Sequence, residues 1–221
     1  MIKDILVGFG IVFVLIILAL FGMPFAGNAK ADEPLRFDAI YPVYKIQSGA
    51  ISCSAVAIET PGLEQTVLLT AAHCIDKSKE GGRVADADNF ITEFKVLKIS
   101  NNTDLAAIIV PDKDFQPKKA LIAQTLIAEE GDDVVVVGYP YGLSRITTKG
   151  QLGRKITTMT PLNNVEDFML ASPNLDVGNS GGGLFQKNGD HWELIGIASM
   201  KGPANFTNFF TTLSNIHKFV G

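Results

Sequence analysis

The amino-acid sequence predicts an all-β protein, a sandwich or barrel built as two lobes. Three observations carry that expectation: many short runs rich in β-branched and aromatic residues, clusters of Gly, Pro, Asn and Asp between them, and almost no helical periodicity. The 221 residues, 47% of them hydrophobic, suffice for one domain or two small lobes with a real core. No collagen, heptad or solenoid repeat is present. With 19 Lys+Arg against 23 Asp+Glu the net charge is -4, so the basic surplus that binds phosphate backbones is missing and a nucleic-acid partner is not expected.

The chain opens on a segment made for a membrane. Ile5 to Ala29 contains no charged residue, and Ile5 to Phe21 is apolar apart from Gly8 and Gly10. A basic Lys3 precedes the run, and Pro24 and the small-x-small triplet Ala29-Lys30-Ala31 close it, the pattern of a signal peptide processed before Asp32. The apolar run also approaches the roughly 20 residues that span a bilayer, so an uncleaved anchor is the second reading of residues 1–31. Both place the remainder outside the cytoplasm, with membrane contact only through this segment if it is retained.

Strands are expected in order at Pro42–Gln47, Ile51–Ile58, Thr66–Ala71, Ile91–Ile99 and Asp104–Val110, making a first lobe over residues 32–110. Glu93 to Ile99 alternates as a half-buried strand should, whereas Leu105–Val110 is continuously apolar and reads as buried on both faces. Residues 111–130, with Pro111 and Pro117, break the rhythm and form the expected linker. The second lobe, residues 131–221, is expected to hold strands at Val134–Gly138, Arg145–Leu152, Lys155–Thr160, Phe168–Ser172, Gly182–Gln186, Trp192–Ser199 and Phe206–Thr212. A short helix over Leu213–Val220, with Ser214 as its N-cap, ends the chain.

Three signals bear on chemistry. His73 ends an apolar run, Leu68-Leu69-Thr70-Ala71-Ala72-His73-Cys74; the other two histidines, His191 in a hairpin turn and His217 near the C-terminus, read as surface imidazoles. Ser180 lies in Gly178-Asn179-Ser180-Gly181-Gly182-Gly183, where glycines let the backbone approach a substrate carbonyl and aim N–H groups at it. The same pattern fits a nucleophile elbow, but that motif needs a helix after the serine, and here Leu184-Phe185-Gln186 runs straight into the Lys187–Asp190 turn. Asp104 heads an apolar strand, and an acid about to be buried needs a partner such as an imidazole N–H. Two cysteines are too few for a disulfide scaffold and are not grouped as in a zinc site, leaving one bridge or two free thiols.

His73, Asp104 31 residues later and Ser180 a further 76 on stand in the order and spacing of chymotrypsin-type proteases. Thr70-Ala71-Ala72-His73-Cys74, Asp104-Leu105-Ala106 and Gly178-Asn179-Ser180-Gly181-Gly182 resemble the histidine, aspartate and serine motifs of trypsin-like serine proteases. Gly138-Tyr139-Pro140-Tyr141-Gly142 and Thr147-Thr148-Lys149-Gly150 resemble the opening of the second barrel in bacterial and HtrA-like members, and Gly196-Ile197-Ala198-Ser199 resembles the strand that pairs with bound substrate. The resemblance implies two packed antiparallel six-stranded β-barrels with the site between them and a peptide or protein substrate. It implies Ser180 as nucleophile, His73 as base, Asp104 as its orienting acid, and the N–H groups of Gly178 and Ser180 as oxyanion hole. It also implies a Cys53–Cys74 disulfide and places Asn174, Ser199 and Met200 at the specificity pocket. No metal or organic cofactor is expected, because the histidines are scattered and the bridge consumes both thiols.

The chain departs from the family pattern in places. Asn179 stands where digestive relatives carry an Asp that receives a new N-terminus, so that activation switch is not expected, and with Gly221 closing the chain neither is a PDZ module. No acid lies at Asn174, so the resemblance implies a small or apolar P1 residue. An exported serine endopeptidase is the leading expectation, with a non-catalytic binding module or a small-ester hydrolase on the same fold as alternatives.

Overall fold

A computed structural model describes residues 42–86, 90–159, 165–204 and 207–221. The first six strands are β1 (Val43–Ser48), β2 (Ile51–Ile58), β3 (Thr66–Thr70), β4 (Gly81–Ala85), β5 (Ile91–Ile99) and β6 (Ala106–Val110). They close an antiparallel barrel in the order β1-β2-β3-β6-β5-β4. Ile46, Ala55, Leu68, Val84, Phe94 and Ile108 fill it. The alternation read in β5 holds as far as Val96, where a bulge between Val96 and Lys98 shifts the register and leaves Leu97 exposed. Strand β4 was not anticipated. Its Gly81-Gly82 start carries no strand signal, yet glycine is what fits there, since a Cβ on Gly82 would lie 2.7 Å from the Phe94 ring.

The second sheet comprises β7 (Leu121–Ile122), β8 (Asp133–Gly138), β9 (Ile146–Met159), β10 (Val165–Ala171), β11 (Gly183–Asn188), β12 (His191–Met200) and β13 (Asn208–Thr211). Its order is β11-β8-β9-β10-β13-β12-β7, and the β11–β12 hairpin pairing closes the six longer strands on themselves. Val134, Val136, Met169, Leu184, Ile195 and Phe210 fill this barrel. The two strands expected over Arg145–Thr160 are a single strand, β9. Its first half pairs with β8 and its second with β10, so it passes from one neighbour to the next without a turn. Gly153, which reads as punctuation in sequence, packs its backbone against Leu170 instead.

The segment between the barrels is not free of structure. Ala120 exchanges backbone hydrogen bonds with Ala57 and Glu59 of the first barrel, and β7 lies parallel to β12 of the second. His217 is not a free surface imidazole: its Nε2 meets the Ala123 carbonyl at 2.8 Å and ties the C-terminal helix to this segment. That helix, α1 (Leu213–Val220), is capped by Thr212 rather than Ser214. Thr212 keeps an extended backbone, and its side-chain oxygen accepts the Asn215 N–H, whereas Ser214 already lies inside the first turn. Among the described residues no helix is long and apolar enough to cross a membrane. The apolar leader, residues 1–31, lies outside the described residues.

Cys53 of β2 and Cys74, in a 3-10 turn over Ala72–Cys74, form a disulfide with both residues buried. The bridge fastens the turn that presents His73 to the barrel wall. Replacing both cysteines by serine is expected to lower unfolding free energy by about 3 kcal/mol for a loop of this length. Urea denaturation of the two proteins measures the difference.

Candidate active site

His73 and Asp104 pair where the barrels meet, and Ser180 is linked to them through Ser199, which contacts both Asp104 and the Ser180 hydroxyl. His73 sits in the turn after β3, Asp104 in the approach to β6, and Ser180 in the loop before β11. Asp104 is fully buried. One carboxylate oxygen accepts the His73 main-chain N–H at 3.1 Å, and the other meets His73 Nδ1 at 2.8 Å. The Ser199 hydroxyl also donates to that second oxygen. Burial pushes the Asp104 carboxyl up, but the contacts from His73 and Ser199 outweigh it and hold the group below the ordinary carboxylate range. An ionised Asp104 fixes the proton of His73 on Nδ1 and leaves Nε2 to act as base.

The serine loop is shaped by two left-handed glycines, Gly178 at φ 96° and Gly181 at φ 81°. A Cβ on Gly178 would come within 2.5 Å of the Tyr139 carbonyl oxygen, so a side chain is barred by space as well as by φ. The Val177 carbonyl accepts the Tyr141 N–H. Because a trans peptide points its C=O and N–H in opposite directions, this contact turns the Gly178 N–H the other way. Asn179 N–H is used internally, donating to Asp176 at 3.0 Å. Among the described residues neither the Gly178 nor the Ser180 N–H has an acceptor. Two unpaired donors flanking a serine make a site for a developing oxyanion.

The Ser180 hydroxyl lies 3.5 Å from the Ser199 carbonyl oxygen, and no hydrogen bond joins it to His73 among the described residues. Of the residues read as pocket positions, Ser199 turns its side chain inward to Asp104, Asn174 is exposed, and Met200 is half-buried. The Asn174 carbonyl accepts from Thr148 Oγ1 at 3.1 Å. Cys53, Cys74 and His73 bring potential ligand atoms within 4.8 Å of one another, a closeness the sequence spacing does not reveal. The disulfide engages both sulfurs of that cluster.

Three residues of the site carry no sequence motif. Buried Ser54 of β2 donates its hydroxyl to the Gly178 carbonyl and accepts the Tyr139 N–H, both at 2.8 Å, while its N–H donates to the Ser180 carbonyl. It thereby fastens the serine loop to the first barrel. Buried Asn208 of β13 donates to the Pro173 carbonyl and accepts the Gly202 N–H, joining the segments that carry Asn174 and Met200. Glu166 of β10 is 4% exposed and accepts the Asp104 main-chain N–H at 2.7 Å. Only Ser54, next to a motif cysteine, lies where a sequence signal could have led to it.

Two barrels meeting at a His–Asp pair, with a glycine-flanked serine beside open N–H groups, define a trypsin-like peptidase domain. The profile of the trypsin-like peptidase domain family matches residues 53–197, and the chain belongs to that family. It is 30% identical over 132 residues to a probable periplasmic serine endoprotease DegP-like of Pseudomonas savastanoi pv. phaseolicola, covering 60% of this chain and 26% of that protein. It is 30% identical over 140 residues to the periplasmic pH-dependent serine endoprotease DegQ of Escherichia coli, covering 59% and 28%. The chain thus spans little more than a quarter of the length of these relatives. Among solved structures, the inactive form of the Rv3671c protease of M. tuberculosis superposes with a TM-score of 0.71 at 24% identity, over 86% of this chain and 93% of that one. That likeness is one of fold, and it agrees with the chymotrypsin-like pair of barrels.

Burial raises the Glu166 carboxyl from 4.5 to about 7, and the nearby charges of Asp104 and Asp167 act in the same direction. A folded-state value above the unfolded one gives stability that is full below about pH 4.5 and is lost as pH rises through about 7. Asp104, held low, adds nothing to the change in this window. The protein is expected to lose about 2–3 kcal/mol between pH 5 and pH 8, and Glu166→Gln to flatten that slope, as urea unfolding at the two pH values checks.

Proposed function

We propose that the chain is an exported serine endopeptidase that cleaves peptide bonds through an acyl-enzyme, with His73, Asp104 and Ser180 as its triad. The observation that carries this reading is the junction of a His73 ring held by a buried, ionised Asp104 with the two unpaired N–H groups beside Ser180. Family membership and the serine endoproteases among its relatives support the reaction class. The periplasmic location in those relatives' names, the apolar leader and the disulfide support export.

In this mechanism His73 Nε2 takes the Ser180 proton as Oγ adds to the scissile carbonyl. The carbonyl oxygen gains the negative charge and receives hydrogen bonds from the Gly178 and Ser180 N–H groups. Collapse breaks the C–N bond, and His73 returns the proton to the leaving amine. A water then adds to the acyl group by the same route, releasing the acid and regenerating Ser180. The free site holds the hydroxyl against Ser199, and substrate entry brings it to Nε2, since such contacts tighten only in the Michaelis complex. The same looseness favours the second reading, a non-catalytic binding module.

A fluorophosphonate probe separates the two. It is expected to label the wild type and not Ser180→Ala, and equal labelling of both proteins would sink the endopeptidase reading. The pocket carries no charge at Asn174 or Met200, which supports a small or apolar P1 residue. A peptide-library profile is expected to show that preference, and dominance of basic or acidic P1 residues would refute it.

A further inference from the structure

Glu166 is a buried carboxylate for which the endopeptidase mechanism has no task. Its Oε2 accepts the Asp104 N–H at 2.7 Å, and its Oε1 accepts Asn215 Nδ2 at 3.1 Å. Among the described residues no Lys, Arg or His pairs with it. An uncompensated charge in such a place is costly, and a neutral acceptor could satisfy the same donors at less cost.

The location explains what the carboxylate does. Strand β6 begins at Ala106, so the Asp104 main chain lies ahead of the ladder that fixes its neighbours. In the preceding loop the N–H groups of Asn102 and Thr103 donate to Ser100 Oγ, and the Ser100 N–H donates to the Leu105 carbonyl. The Asp104 N–H donates to Glu166 Oε2, across the junction in the opposite barrel. Asn215 of α1 holds the other Glu166 oxygen and also reaches the Asp167 carbonyl at 3.3 Å. The helix is further anchored to the first barrel, because Lys98 of β5 donates to the Phe219 carbonyl at 2.7 Å and lies over its ring.

We propose that Glu166 is a positioning residue for the triad: its carboxylate sets the Asp104 main chain, and through Asn215 it makes the aim of Asp104 at His73 depend on the seating of the C-terminal helix. This rests on the reading of His73, Asp104 and Ser180 as the triad. Both partners of Glu166 are donors, so the ionised carboxylate accepts best from both, whereas protonation makes one oxygen a hydroxyl, a weaker acceptor that must aim its proton away from the donor. The charged groups around it are Asp104 at the head of β6, with His73 behind it, and Asp167 beside it in β10; Lys155 of β9 and Lys218 of α1 act on Asp167. The positioning is accordingly strongest at alkaline pH and fades as Glu166 takes up a proton on the way down through about pH 7.

The test compares wild type, Glu166→Gln and Glu166→Ala in two ways. The first is the amide resonance of Asp104 followed from pH 5 to 9 in 15N-labelled protein. The second is the rate constant for fluorophosphonate inactivation over the same range. The Asp104 amide is expected to move with the Glu166 titration in wild type and to stand still in Glu166→Gln. Inactivation of Glu166→Ala is expected to slow by about 10- to 100-fold, the scale of a misplaced catalytic group. Glu166→Gln, which like the protonated acid offers only one carbonyl oxygen to the two donors, is expected to react more slowly than wild type at alkaline pH and to lose one proton's steepness from the acid limb. Wild type that never labels defeats the endopeptidase reading, and the Asp104 amide then decides the role of Glu166 alone. An amide indifferent to pH in wild type overturns the proposal, as does a folded Glu166→Ala that reacts at the wild-type rate. If Glu166→Ala fails to fold, an acid limb identical in wild type and Glu166→Gln overturns it.

Discussion

Asp104 keeps its charge in a place closed to water, and the arrangement of the site follows from what that requires. A buried carboxylate survives only when its oxygens are surrounded by donors, and here the donors come from separate parts of the chain: His73 by main chain and ring, and Ser199 by hydroxyl. His73 comes from the first barrel and Ser199 from the second. Solvating one charge therefore brings the two barrels into a single alignment, and within the second barrel the serine loop pairs with β12 so that Ser199 lies beside Ser180. The inter-barrel contacts at Ser54 perform the matching service for the serine loop, where uncharged groups suffice because nothing ionised is buried there.

Stability and geometry oppose one another at this junction. Glu166 is held in a medium that resists its charge, while a neighbouring carboxylate is lowered by its donors despite its burial. The contrast comes from donor number and partner charge, since both groups are buried. A cationic partner would relieve Glu166, yet Lys155 and Lys218 act on Asp167 of the same strand instead. Strain of this kind clusters at functional sites, where a fixed geometry is worth more than a small gain in folding free energy.

Much of the fold was legible because periodicity and turn residues report directly on burial. Leu105–Val110 reads as doubly buried, and every residue of the run except Ile109 is buried. The elements that escaped are those held by what they touch. Strand β4 exists because its glycines pass under Phe94, β9 continues through Gly153 because its partners change sides there, and Thr212 caps α1 because its backbone is extended. The site divides in the same way. His73, Asp104 and Ser180 stand at strand ends with distinctive neighbours, whereas Glu166 and Asn208 are single polar residues in strands, and nothing in their spacing separates them from solvent-facing positions. Ser199 was visible as a residue of interest but not as a donor to Asp104, because a strand's sequence does not say which face looks across a barrel junction.

The hydrogen bond from Tyr141 to the Val177 carbonyl has a consequence for control. It locks the peptide that would otherwise swing its oxygen into the space beside Ser180. In a peptidase whose serine loop must be rearranged before each activation, an effector can act by supplying the energy of that rearrangement. Here the Val177 carbonyl is held by a residue of the neighbouring 3-10 turn, in a loop whose glycines admit no side chain. On the proposed reading of Ser180, any such rearrangement has first to displace Tyr141, which makes the turn and the serine loop one unit.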